Sequence, residues 1–181
     1  MPLLWRLFIV CCCLLLLGGC QSDNLPKGIT LKVQRVVSGQ TLEVLNPTQV
    51  PPLIERVRLI GIEAPDLRQK PWGLVAKKRL EQIISEARDG QFVLTTVLFE
   101  PDIQKQDSFG RSLAYAWHND TLLNEQLVKE GYALAAPRIP NNKYDQRLTR
   151  AQEYARIMGF GIWNRGQPMR LSPSEFRRQN H

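Results

Sequence analysis

Residues 56–66 (RVRLIGIEAPD) constrain the fold more than any other part of the chain. Three β-branched residues within this stretch favour a strand: Val57, Ile60 and Ile62. Pro65 lacks a backbone donor and drives the preceding residue into extended geometry, so the strand is predicted to end near Glu63. Glu63 and Asp66 then lie at the end of the strand, and Arg58 precedes them within it. Carboxylates suit a hard cation and a guanidinium suits phosphate, but these eleven residues alone fit a structural arginine–carboxylate pair better.

The hydrophobic period divides the rest of the chain into strands and helices. β-Rich runs predict a hairpin at residues 31–37 and 42–45 and further strands at 56–62, 92–99 and 113–117. Helical spacing predicts helices at about 71–87, 123–128 and 148–158, the second capped by Asp120 or Thr121 and followed by Gly131. Together these elements predict one α+β domain, a five-stranded OB-type β-barrel with three helices.

Charge and cysteine content narrow the class of protein. The chain has 24 Lys and Arg against 17 Asp and Glu, a formal net charge of +7. A basic exported protein is predicted to attract polyanions such as nucleic acid or anionic lipid, with a merely solvated basic surface as the alternative. The cysteines all lie near the start of the chain: Cys11, Cys12, Cys13 and Cys20. The folded domain is therefore predicted to hold together without a disulfide or a thiolate metal site.

The start of the chain resembles a bacterial lipoprotein signal. Arg6 is followed by an apolar run at residues 7–17, which is short for a transmembrane helix, and then by LGGC at residues 17–20. In such a signal the cysteine, here Cys20, receives diacylglycerol; an uncleaved anchor is the alternative. Either reading tethers the domain to a membrane outside the cytoplasm. The predicted parts are a signal peptide at 1–19, a lipidated cysteine and linker at 20–27, the domain at 28–164 and a loose basic polar tail at 165–181.

Five segments, in order, resemble the staphylococcal nuclease (thermonuclease-like) family over about residues 31–163. They are VVSGQT at 36–41, VRLIGIEAPD at 57–66, DSFGRSLAY at 107–115, NEQLVKEGYA at 124–133 and GIW at 161–163. Any one of these segments is a weak signal, but five in the right order are a strong one. The resemblance implies cleavage of phosphodiester bonds in DNA or RNA, with one calcium ion, a glutamate acting on water and two arginines on the phosphate.

The resemblance also assigns the site residues position by position. Arg58 and Arg111 match the two phosphate-binding arginines, and Asp66 matches the catalytic glutamate. The residues that match the calcium-binding positions are Glu63, Gln40 and Ala64, the last through its backbone carbonyl. Calcium affinity depends on ligand charge, and Gln40 brings none, so the resemblance implies an altered and weaker metal site. Asp66 is also one methylene shorter than glutamate, and small misplacements at a reacting group are costly.

Two functions remain open from the sequence. One is a calcium-dependent nuclease with an altered metal site, and the other is a membrane-tethered module that binds nucleic acid without cutting it. Both use Arg58 and Arg111, and both predict nucleic acid and a membrane as partners of a monomeric chain with no protein partner. Phe109 is expected either to stack on a base or to make an ordinary apolar contact.

Overall fold

The computed structural model describes residues 25–48 and 50–180. The signal segment, Cys20 and most of the predicted linker lie outside these residues. Within the described ranges, no helix has the length and apolar character needed to cross a bilayer.

The described residues form ten strands and four α-helices in chain order. The strands are β1 (Ile29–Ser38), β2 (Thr41–Asn46), β3 (Leu53–Leu59), β4 (Ile62–Glu63), β5 (Ser85–Arg88), β6 (Gln91–Leu94), β7 (Thr96–Glu100), β8 (Ser112–His118), β9 (Thr121–Leu122) and β10 (Leu134–Ala135). The helices are α1 (Trp72–Ile83), α2 (Leu123–Lys129), α3 (Asp145–Met158) and α4 (Pro173–Gln179), with a 3-10 turn at Gly161–Trp163.

Five of the strands close into a barrel, which confirms the predicted OB-type α+β fold. Their order is β3-β2-β1-β7-β8, with antiparallel neighbours, and a parallel pairing of β3 with β8 completes the ring. Alternate residues of the strands point inward, as the period of two requires; Leu31 and Val33 of β1 and Leu42 and Val44 of β2 are buried in this way. The helices cover the barrel with their own buried stripes, such as Ala76 and Leu80 on α1.

The structure corrects the predicted elements around residue 85. The first helix ends at Ile83, not at residue 87, because the chain turns into the β5–β6 hairpin. Asp89 and Gly90 both have positive φ, 49° and 76°, as an Asp-Gly hairpin turn demands. The predicted strand at 92–99 is therefore two strands, which separate at Thr95, where the backbone N–H and the side-chain hydroxyl both donate to the Ile84 carbonyl.

Three further predictions change. The third strand breaks at Gly61, whose φ of 71° ends β3 and starts β4. The second helix begins after Leu122 with no side-chain cap, so neither Asp120 nor Thr121 caps it. The tail is not loose throughout, because α4 is a fourth helix beyond the three predicted. It follows a capping box in which Ser172 and Glu175 bond to each other's backbone N–H groups.

Candidate functional site

A groove of about 660 Å³ opens at one mouth of the barrel, and it brings together every predicted site residue that the structure describes. These residues are Gln40, Arg58, Glu63, Ala64, Asp66 and Arg111. Strand register explains the convergence. On β3, Arg58 pairs with Thr41 of β2 on one side and with Leu113 of β8 on the other. The hairpin and the start of β8 therefore flank Arg58, although they are distant in sequence.

Arg58 is the cation most affected by this arrangement. It is half-buried, and no ion pair within the described residues involves its side chain. Burial lowers the pKa of Arg58 to about 10, with further lowering by the neighbouring charges of Arg111 and Arg138 and a smaller opposing effect from Glu63. Burial and the neighbouring cations thus disfavour the charged form of Arg58, and a bound anion would stabilise it.

Arg111 is held in place by a buried carboxylate. The Asp107 side chain is 1% exposed and accepts from the Arg111 Nε at 2.7 Å and from the backbone N–H groups of Phe109 and Arg111, both at 3.0 Å. Burial works against ionisation of Asp107, but these bonds outweigh it and lower the pKa of the carboxyl. Asp107 thus orients the Arg111 guanidinium at the groove. Sequence reasoning quoted Asp107 only as part of a motif and gave it no role.

Both predicted groove carboxylates are bonded to arginines. Glu63 forms an ion pair with Arg177, which α4 brings from the C-terminal tail. Asp66 accepts from the Arg68 backbone N–H at 2.9 Å and from its Nε at 3.1 Å, and these bonds lower the pKa of Asp66. Asp66 is therefore ionised and tied into the turn that carries it.

The first turn of α1 packs against the turn that carries Asp66. A Cβ at Gly73, in the first turn of α1, would lie 1.9 Å from the Asp66 carbonyl oxygen. Only glycine permits this close approach. The start of α1 and the acid at the groove are therefore positioned against each other by main chain.

Gln40 and Ala64, predicted as metal ligands, are bonded to each other. The Gln40 Oε1 accepts from the Ala64 N–H at 2.6 Å, and both residues are buried. This bond ties the β1–β2 hairpin to the strand end that carries Glu63, which gives Gln40 a structural role in the groove.

Three groove arginines were not among the predicted site residues: Arg56, Arg138 and Arg177. No local signal marks Arg138, which lies in a loop after β10. The motif SPSE at residues 172–175 does carry a signal, because Ser three residues before Glu with an intervening Pro is typical of a helix start. It predicts α4, although not where the helix docks.

The oxygen donors of the groove do not fit a calcium ion in this arrangement. Among residues 25–48 and 50–180, no group of three His, Cys, Asp or Glu side chains could hold a metal. Both groove carboxylates are bonded to arginines, and the Gln40 oxygen is bonded to a backbone N–H. Five arginines and two carboxylates line the groove, whereas a calcium site gains its affinity from carboxylate charge. The groove as it stands is suited to an anion.

Phe109 adds an aromatic surface to the rim. Its ring is 81% exposed, and the Arg111 guanidinium lies over it at 5.3 Å from the centroid. An exposed ring beside a guanidinium offers a surface on which a base of a single strand can stack. The apolar alternative for Phe109 has no support in the described structure, since the ring is not buried.

The sequence of the chain is similar to those of several known nucleases. The family model described as staphylococcal nuclease homologue matches residues 56–165. A thermonuclease of Staphylococcus intermedius is 33% identical over 150 residues, covering 80% of this chain and 82% of the relative. A thermonuclease of Staphylococcus hyicus is 31% identical over 140 residues, covering 75% and 76%. Endonuclease YncB of Bacillus subtilis is 25% identical over 154 residues, covering 82% and 68%.

Proposed function

The chain belongs to the family of staphylococcal nuclease homologues, and from that premise we propose that it binds nucleic acid in the arginine groove and hydrolyses phosphodiester bonds there. The observation that carries the proposal is the convergence of Arg58, Arg111 and Arg138 on one groove, where burial and the neighbouring cations lower the pKa of Arg58. A phosphate diester bound between these guanidinium groups supplies the missing negative charge.

The same groups suit the chemistry of phosphodiester cleavage. Attack on phosphorus raises the negative charge on its oxygens, and fixed cations that already point at this position stabilise the transition state. Arg58 and Arg111 fill that role, with Asp107 holding the Arg111 fork. Asp66 is the carboxylate at the mouth of the groove. With its pKa lowered, Asp66 remains ionised and orients a water by accepting a hydrogen bond, but it is a weak base for removing the proton.

The resemblance implies calcium dependence, but the carboxylates of this groove are bonded to arginines, and we assign no step to the ion. If calcium enters, Glu63 and Asp66 are the carboxylates available to it, and the ion would add charge stabilisation at the phosphate. Both acids would first have to leave the arginines to which they are bonded. We therefore propose weak calcium binding at this groove.

The alternative, nucleic-acid binding without hydrolysis, is favoured by one specific observation. Both carboxylates that could act on water are engaged, Glu63 by Arg177 and Asp66 by Arg68, whereas Arg58 has no ion-pair partner among the described residues. Phosphate binding needs only the arginines, so a binding module would use the groove as it is.

One experiment separates the two functions. The purified chain is incubated with labelled single-stranded and double-stranded DNA and with RNA, each with added calcium and with a chelator, and both cleavage and binding are followed. We expect binding in both buffers and cleavage of at least one substrate. Binding without cleavage of any substrate would favour the module, and the absence of both would contradict the proposed function.

We also propose that the protein is a membrane-anchored lipoprotein exported from the cytoplasm, with the lipid on Cys20. The support is the LGGC at residues 17–20 after a short apolar run. A Cys20→Ser variant is expected to leave the membrane fraction or to accumulate unprocessed, because the serine hydroxyl does not replace the thiol that receives the lipid. Cell fractionation and the mass of the N-terminal peptide measure this, with Cys13→Ser as the matched control. Unchanged processing and unchanged membrane association of Cys20→Ser would refute the anchor.

A further inference from the structure

The C-terminal tail folds back onto the groove and is fixed to the turn that carries Asp66. The Gln69 Nε2 donates to the Leu171 carbonyl at 2.7 Å, and the Arg68 Nη1 donates to the Asn180 carbonyl at 2.9 Å. Before these contacts, the Met169 N–H donates to the carbonyl of Ile162 at 2.9 Å. The tail therefore has a defined path along the side of the groove.

This path places Arg177, in the last turn of α4, inside the groove. Arg177 bonds to Glu63, which is 114 residues earlier in the chain. Its positive charge also acts on Arg58 and on Asp66, and it lines the groove together with both. The match to the family model ends at residue 165, so nothing in that match assigns a role to Arg177.

We infer that Arg177 is a phosphate-binding residue supplied by the tail, and that it provides at Glu63 the positive charge that the family resemblance gives to calcium. Nucleic-acid binding by this protein accordingly needs no metal ion. The inference rests on the proposed function, since it concerns the same groove.

The chemistry of the guanidinium explains how Arg177 serves both partners. A guanidinium has five N–H donors in a planar fork, and the bond to Glu63 uses the Nη2. The carboxylate holds the group at the groove through one nitrogen, and the other donors are available to phosphate oxygens. Glu63 acts here as a positioning residue for a cation of the protein itself.

Charge balance supports this role over a purely structural ion pair. Five arginines and two carboxylates line the groove, and the partners of Arg56 and Arg111, which are Glu43 and Asp107, lie outside its lining. The groove therefore keeps an excess of positive charge when all ion pairs of the described residues are counted. A structural pair at a protein surface would not need four further arginines around it.

The test measures binding of a fluorescein-labelled oligothymidylate by polarisation in EGTA across a salt series, with the full chain. An Arg177→Ala variant is expected to bind roughly tenfold more weakly, since a hydrogen bond to a charged group is lost. The slope of log affinity against log salt should fall by about 0.7, which is the signature of one lost phosphate contact on a single strand.

The matched control is Arg178→Ala, which removes the same charge from the next residue of the same helix. Arg178 is exposed and is not among the described residues that line the groove, so its slope and affinity should stay close to those of the parent. An Arg177→Lys variant, which retains the charge, should recover the slope but only part of the affinity. This pattern would not follow from simple loss of tail docking.

A second variant distinguishes loss of the Arg177 charge from general undocking of the tail. Glu63→Gln removes the negative charge that Arg177 offsets, and its amide oxygen can still accept from the guanidinium, so binding should change little in the parent and should recover part of the lost affinity in the Arg177→Ala background. Equal or tighter binding by Arg177→Ala, or an unchanged slope, would overturn the inference. Cleavage that requires calcium, without any binding in EGTA, would also overturn it and leave the proposed function standing. Neither binding nor cleavage in either buffer would remove both.

Discussion

An Arg58→Met variant is expected to lose most nucleic-acid binding and hydrolysis while becoming more stable than the parent. Arg58 is half-buried among other arginines, and burial and these charges lower its pKa to about 10. A fold that disfavours the charged form of a side chain is destabilised by keeping it charged. Methionine keeps the apolar stem and removes the charge, so the free energy of unfolding should rise by roughly 1–3 kcal/mol.

The functional loss from Arg58→Met should be large because the phosphate loses its most buried cation. Truncating one partner of a buried charged contact costs about 2–5 kcal/mol. This corresponds to a fall of roughly 30-fold to 4,000-fold in oligonucleotide affinity or in kcat/KM. Binding by polarisation and the melting temperature of the same preparation measure the two effects, and the melting temperature should rise by about 2–4 °C per kcal/mol.

Arg35→Met is the matched control for Arg58. It removes the same charge from an exposed residue of β1 that pairs with Glu43 and is not part of the described groove lining. We expect little change in its binding or stability. If Arg58→Met melts lower than the parent and binds as well, then Arg58 is a structural arginine and the groove is not the phosphate site.

A Glu100→Ala variant is expected to destabilise the protein by roughly 3 kcal/mol or more. The Glu100 side chain is only 2% exposed, and it accepts from Lys143, from the Tyr144 hydroxyl at 2.9 Å and from the Trp117 indole at 3.0 Å. Buried donors left without an acceptor cost about 1–3 kcal/mol each. A shift of roughly 6–12 °C in melting temperature follows. Glu125→Ala, at a more exposed ion pair with Arg147, should change stability by less than about 1 kcal/mol.

The Glu100 cluster also matters for function, because it anchors the loop that carries Arg138. Lys143 and Tyr144 follow that loop, and Asn141 within it bonds to the backbone of Gln104. Glu100→Ala should therefore weaken oligonucleotide binding even at temperatures where the variant is folded. Unchanged affinity with lowered stability would show that the loop does not need this anchor.

The same carboxylate predicts the acid response. Burial opposes ionisation of Glu100, but the bonds from Lys143, Tyr144 and Trp117 outweigh it, so the net shift lowers its pKa. A group with a lowered folded pKa stabilises the protein above its unfolded pKa, about 4.3 for glutamate, and loses that effect as pH falls through the folded value. A Glu100→Gln variant should thus lose less stability than the parent below about pH 4.3, measured by urea unfolding. An equal loss in both proteins would contradict this.

Local sequence patterns predicted the strands of the barrel and the part of the site that those strands carry. β-Rich runs, Pro65 and the glycines after the helices act locally, so they predict strands and strand ends wherever the rest of the chain lies. The position of Arg58 on β3, with Glu63 and Asp66 beyond it, follows from that local pattern. The errors arose where a period is ambiguous, as at residues 84–87, where an Asp-Gly turn two residues further on made a hairpin out of a predicted helix end.

The contacts between groove residues that are distant in sequence depend on the tertiary fold. The pairing of Glu63 with Arg177 depends on the path of the tail, and the bond from Ala64 to Gln40 depends on the closeness of two strand ends. Neither contact can be predicted from the local sequence, because an interaction between distant residues does not change the spacing of apolar residues along a strand or helix. The identity of the groove's cations, including Arg138, was likewise set by barrel closure and loop anchoring. The strand pattern thus places both acids at the groove, and the folded tail decides that Glu63 faces an arginine.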